Sequence, residues 1–267
     1  MTWARLTAAA RRSEADLRSP LPPGAGCCLV CRGRADPGYL RCYQCADQRA
    51  DAPGLLADVV VPVSYALRGG AHYARLWRYK NDTPGAAAAR ATLRAVLLTF
   101  LRDHGPCLWR HAAMPAPDRL AVVPSGQGRR GPPPLLGLLG PLVTLTPATL
   151  TVRPGELLGR ALNPWRFDAE PSVAGQSVLL VDDLWVSGAS AQSAAVALRR
   201  AGARHVAVIV LGRHIDPADP RSRRLAARIE AARYDPAACA VHAPSPAPCS
   251  RSVTTKADMR STAAITA

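Results

Sequence analysis

The residue types most able to do chemistry together lie in residues 178–190, which read VLLVDDLWVSGAS. Four apolar residues, Val178 to Val181, precede the adjacent carboxylates Asp182 and Asp183. Leu184 and Trp185 then lead into a loop of small residues, Val186, Ser187, Gly188, Ala189 and Ser190. A helical pattern with Ala195, Val196 and Leu198 follows, and Gly202 closes it. A short apolar run is the signature of a buried parallel strand. Small residues let backbone N–H groups reach an anion at a helix N-terminus, so this loop is a candidate phosphate cradle. The paired aspartates sit where that strand should end, which in open α/β sheets is the ligand edge. The segment thus offers a phosphate site and, beside it, two acceptors suited to sugar hydroxyls. A helix N-cap with a solvated neighbour would account for an acidic pair. It would leave the rest of the pattern unexplained.

The arrangement resembles the phosphoribosyl-pyrophosphate (PRPP) motif of type I phosphoribosyltransferases: four apolar residues, two acids, two apolar residues, then a Thr-Thr-Gly-x-Thr-like loop. The resemblance implies that Asp182 and Asp183 are the catalytic pair and hold the ribose 2′- and 3′-hydroxyls. It implies that Val186, Ser187, Gly188, Ala189 and Ser190 wrap the 5′-phosphate. The first loop Thr is replaced by Val186, so one hydroxyl is missing while its backbone N–H remains. Trp185 is bulky for its place.

Near the N-terminus, Cys28 and Cys31 form one C-x-x-C pair and Cys42 and Cys45 another, ten residues apart. Each pair can place two thiolates on one side of a tight turn, and two pairs complete a tetrahedral Zn²⁺ shell. Gly33, Asp36, Pro37 and Gly38 supply turn residues between them. Cys27 is an alternative ligand to Cys28. Disulfides are the competing reading, disfavoured because no signal peptide precedes the cluster and the chain reads as cytoplasmic. Four protein ligands leave no open position, so the zinc is expected to be structural. It would supply on the order of 10 kcal/mol to folding of so small a module.

A zinc-ribbon-like module ahead of such a domain is similar to the ComF family, over roughly residues 27–213. Further matches run in order along the chain. Val61-Pro62-Val63-Ser64-Tyr65 precedes Gly69-Gly70 and Leu76-Trp77-Arg78-Tyr79-Lys80, and Val122-Val123-Pro124-Ser125-Gly126 follows. The family's Gly-Phe-Asn-Gln stretch is absent from the next loop, Gln127 to Pro134. The resemblance implies PRPP bound with Mg²⁺ and a glycosyltransferase reaction that moves phosphoribosyl to a base or amine and releases pyrophosphate. Ser125, Gly126 and Arg129 would meet the pyrophosphate. It equally implies a second role, a non-catalytic sensor or adaptor in DNA uptake. Single-stranded DNA or competence proteins would then be partners. An oligomer is compatible with either.

Around these residues, strand–loop–helix alternation predicts an α/β fold, a parallel sheet with helices on both faces. Strands are expected at Val59 to Val63, Leu120 to Val123, Leu150 to Val152 and Val206 to Arg213. Helices are expected from His72 to Tyr79, from Pro84 to about Asp103, over Leu135 to Val143, over Ser193 to Gly202, and from Asp219 to Tyr234. The domain plan is a basic helix and linker (1–26), the zinc module (27–50), the phosphoribosyltransferase-like domain (51–235) and a disordered tail (236–267) rich in Ala, Pro, Ser and Thr.

A formal net charge of +15 favours anionic partners such as PRPP, a nucleotide or nucleic acid. Lys80 and Lys256 are the only lysines, however, and an arginine- and alanine-rich coding bias explains the charge as well. The longest uncharged stretch, Gly131 to Val152, is broken by five prolines and carries no membrane span. Cys239, His242 and Cys249 are poorly spaced for a second metal cluster. Cys107 reads as a small apolar side chain. His72, His104, His111, His205 and His214 show no nucleophile partner at a recognisable spacing, so no Ser-His or Cys-His hydrolase is expected.

Overall fold

In a computed structural model, residues 2–81, 83–124, 133–139, 144–154 and 159–241 are described. Alternation along the strands decides the architecture. In β1 (Val59–Leu67), Val59, Val61 and Val63 enter one core cluster and Val60 enters another. β6 (Ser177–Trp185) divides the same way, Leu179 and Val181 against Val178 and Leu180. So does β7 (His205–Ile215), Ala207, Ile209 and Leu211 against Val206, Val208 and Val210. Strands that are apolar on both sides must be covered on both sides.

With β2 (Arg119–Val122) and β3 (Thr146–Ala148) these strands form a five-stranded parallel sheet in the order β1-β7-β6-β2-β3. α3 (Ala71–Arg78), α4 (Ala86–His111) and α5 (Pro134–Leu139) cover one face through residues such as Leu76, Leu93, Leu97 and Leu138. α6 (Ala189–Arg200) covers the other through Ala191, Ala194, Ala195 and Leu198, and the cysteines of the N-terminal module pack into that same cluster. The α/β class read from the sequence is the class observed.

Smaller elements close the edges. Leu6 of α1 (Trp3–Arg12) packs against Ala95 and Leu98 of α4. α2 (Tyr43–Asp51) carries Cys45, and β4 (Leu150–Val152) pairs antiparallel with β5 (Phe167–Ala169) away from the main sheet. α7 (Arg223–Ala231) lays Leu225 and Ile229 on Tyr65 and Ile215.

Two expectations change. α4 does not end near Asp103 but runs through Pro106 to His111. Pro106 forfeits a ladder hydrogen bond, yet Cys107, Leu108 and Trp109 just beyond it are buried, and that burial offsets the loss. The aspartates sit at the carboxyl end of β6, where the sequence pattern puts them. β7 continues beside it, pairing Asp182 with Val210, Leu184 with Gly212 and Trp185 with Arg213, so the aspartates lie within the strand's last residues. Residues 236–241 are ordered against the α4 face, with Cys239 and Ala240 buried in its core and the Ala240 carbonyl bonded to Arg32. The rest of the expected tail, 242–267, lies outside the described residues. Among the described residues no helix is long and apolar enough to cross a membrane.

Candidate functional site

β6 is the middle strand, and its carboxyl end borders a cavity of about 370 Å³. Asp182, Asp183, Ser190, Tyr79, Lys80 and Trp77 are among its lining residues. The two carboxylates differ. Asp183 is buried, accepts a hydrogen bond from the Tyr79 hydroxyl, and pairs with the Lys80 ammonium at 2.5 Å. Tyr79 and Lys80 follow directly on α3, so the helix on this face delivers both contacts. Asp182 is half-buried and accepts the backbone N–H of Asp183 at 2.9 Å. Desolvation by burial, and then the charge of Asp183, push its carboxyl up to about 7, with Lys80 pulling the other way. One carboxylate is therefore held by a cation while the other exchanges its proton near neutrality.

The loop after β6 is held through its main chain. Gly188, at the N-terminus of α6, has φ +84°, and a Cβ there would lie 2.0 Å from the Trp185 ring. Only glycine suits both conditions. The same contact accounts for the bulk of Trp185, which is buried beneath the loop and packs into the α6-face core. The Ser187 carbonyl accepts a hydrogen bond from Gln48 Nε2 at 3.0 Å. Arg213 Nη1 donates to the carbonyls of Trp185 and Val186 at 3.0 and 3.1 Å. Arg166, 1% exposed, donates from Nη1 to Ser190 Oγ at 3.1 Å and from Nη2 to the carbonyls of Gly159 and Ala161. Two buried guanidiniums thus flank a loop of small residues at a helix N-terminus, an arrangement suited to an anion.

Gln48 and Arg213 connect this loop to the cysteine module. The sulfurs of Cys28, Cys31, Cys42 and Cys45 lie within 4.8 Å of one another, all four residues are buried, and the group could bind a zinc ion. Cys42 precedes α2 and Cys45 lies in its first turn, while Gln48, one turn on, reaches Ser187. Cys27 does not join them. Its sulfur lies near the Arg32 carbonyl and the Tyr65 hydroxyl, at 3.5 and 3.8 Å, and burial pushes its thiol pKa up. Arg213 is buried against the cluster, and a Cβ on Gly33 would lie 1.9 Å from its Nη2. Burial opposes its charge, and the thiolates of Cys31, Cys42 and Cys45 more than compensate. A Zn²⁺ with four thiolates carries two net negative charges, so a buried arginine beside it is the expected counterion.

The structure brings together Asp182, Asp183 and Ser190 around the cavity, and it gathers the four cysteines. Val186, Ser187, Gly188 and Ala189 form the loop that runs into α6. Ser125, Gly126 and Arg129 lie outside the described residues. Gln48, Arg166 and Arg213 were not anticipated. Each is one polar residue inside an otherwise ordinary element, and only the packing reveals its partner. No protein-family model, curated protein or solved structure matches this chain. What the fold and the cysteine cluster define is an α/β protein with a parallel sheet and an N-terminal four-cysteine group able to hold zinc.

Proposed function

We propose that this chain is a ComF-like, phosphoribosyltransferase-like protein that binds PRPP with Mg²⁺ and transfers its phosphoribosyl group to a base or amine. The observation that carries the reading is the placement of Asp182 and Asp183 at the end of the central parallel strand, facing one cavity with Ser190 of a loop that opens a helix. In this reading the loop 186–190 takes the 5′-phosphate and the two carboxylates take the ribose hydroxyls, displacing Tyr79 and Lys80 from Asp183. The bond from ribose C1 to the pyrophosphate oxygen breaks as the bond from C1 to the acceptor nitrogen forms. Positive charge then grows on the ring, and two adjacent carboxylates favour it. Mg²⁺ would neutralise the departing pyrophosphate, as it does for phosphate-rich substrates generally.

Calorimetric titration of the zinc-loaded protein with PRPP and Mg²⁺ tests this reading. Micromolar binding is expected, weakened by one to two powers of ten in Asp182→Asn and in Asp183→Asn, since each loses charge-assisted hydrogen bonds of ~1.5–3 kcal/mol. Absence of binding to folded wild-type protein would overturn it. A second reading, a single-stranded nucleic-acid adaptor, is favoured by the exposed Tyr39, Leu40 and Tyr43 of the cysteine module, with Arg49 also exposed nearby in sequence. Aromatic rings beside guanidiniums stack bases. It requires salt-dependent binding of single-stranded DNA that Tyr39→Ala and Tyr43→Ala weaken.

A further inference from the structure

His104 and Cys107 lie three residues apart on α4, so both project from one face of that helix. The C-terminal segment folds back across this face and sets Cys239 against them. One ligand atom from each residue lies within 4.8 Å of the other two, and the three residues are 2, 8 and 4% exposed. The imidazole is oriented. Its Nε2 lies 2.9 Å from the Pro236 carbonyl, which can only accept, so Nε2 carries the proton and donates. Nδ1 is then the unprotonated acceptor, buried and within reach of the Cys239 sulfur. The Phe100 ring, 4.8 Å from the imidazole centroid, holds the ring in place. A histidine that gives one N–H to a backbone carbonyl and turns its other, unprotonated nitrogen to buried thiols has the posture of a metal ligand.

We propose that His104 Nδ1 and the sulfurs of Cys107 and Cys239 form a second metal site, suited to Zn²⁺, that fastens the C-terminal segment to α4. Two soft thiolates and an imidazole are ligands that zinc prefers. On binding, each thiol gives its proton to solvent, so two positive charges on the metal meet two negative charges on sulfur and the site is neutral. That fits its surroundings. Leu97, Phe100, Leu101 and Leu108 of the same apolar cluster stand where the four-cysteine group needs Arg213. Cys107 also lines a surface cleft with Arg110, His111 and Val241, which leaves solvent access to a fourth position. A water completes the shell there.

Metal analysis of the full chain, purified without oxidant or chelator, tests the proposal. Two zinc ions per chain are expected. Cys239→Ser should reduce this to one, with unchanged circular dichroism and unchanged PRPP titration, so the outcome is separable from that of the phosphoribosyltransferase reading. X-ray absorption on wild-type protein gives a check that needs no variant. An average shell of three sulfurs to one nitrogen or oxygen is expected for the two sites together. A single zinc per chain with an all-sulfur shell would overturn the proposal. So would a Cys107–Cys239 disulfide in the anaerobic protein.

Discussion

On the α6 face, the loop 186–190 is fixed by groups a ligand need not disturb. Gln48 and Arg213 hold its carbonyls, Arg166 holds Ser190, and Trp185 fills the space beneath Gly188. On the α3 face, Asp183 is held by Tyr79 and Lys80, groups that must give way if its carboxylate is to accept sugar hydroxyls. On the proposed reading the phosphate half of the site is therefore preorganised, and its geometry depends on the cysteine module. The ribose half would be an exchange of partners that depends on charge and pH. Preorganised donors cost little at the moment of binding. Exchangeable ones confer selectivity, because only a ligand with matching hydroxyls repays the lost ion pair.

The contrast predicts graded losses. The largest should follow removal of zinc by a chelator, or Cys42→Ser. The module's folding free energy from metal is on the order of 10 kcal/mol, and Gln48 and Arg213 lose their setting with it. PRPP binding should fall at least ~100-fold, while protease sensitivity appears in residues 27–50; calorimetry and limited proteolysis read the two. Asp183→Asn comes next, at ~10–100-fold in PRPP affinity.

Proton linkage sharpens the difference between the halves. Asp182 ionises at about 7 in the folded chain, against 3.8 ordinarily. Below that pH its carboxyl is protonated and accepts hydroxyls poorly, so PRPP affinity should rise with pH, by up to ~10-fold per unit below the folded pKa. Asp182→Asn should flatten that profile. The stability sign is opposite. The folded state keeps a proton that the unfolded chain releases, so the contribution of Asp182 to stability is full below the unfolded pKa and is lost as pH rises towards 7. Thermal melts of wild type and Asp182→Asn across that window check it.

Two changes on the loop side should act without any pH dependence. Gly188→Ala places a Cβ into the Trp185 ring at a left-handed φ, and the strain, ~1–2 kcal/mol from the backbone alone, should weaken binding ~10-fold. Gln48→Ala removes one hydrogen bond to the loop, worth ~1 kcal/mol, and should cost ~5-fold. A loss as large as that of Asp183→Asn would contradict the assignment of Gln48 to support alone.

The parallel sheet and the four-cysteine group were legible because each rests on local pattern. Val178 to Val181 is apolar at every position, and the cysteines recur at C-x-x-C spacing. Asp182 and Asp183 stand out as an acidic pair at a strand end, but their inequality does not, since it arises from burial of Asp182 and from the partners of Asp183, Tyr79 and Lys80, more than a hundred residues earlier. Arg213 reads as the polar end of an apolar strand. Its role appears only when β7 pairs with β6 and sets it between the loop and the cysteines. Cys239 was hidden for the same reason. Its partners lie on α4, and a Pro-, Ala- and Ser-rich setting gave no sign that it would be buried. Contacts between distant segments are the part of a site that spacing along the chain does not encode.

Hydrogen–deuterium exchange of the full chain, with and without PRPP and Mg²⁺, reads ligand binding at the loop itself. Slower exchange of the amides of residues 186–190 is predicted on ligand addition, and it should be lost in Asp183→Asn at the same ligand concentration. Unchanged exchange in this loop at saturating PRPP would contradict the account.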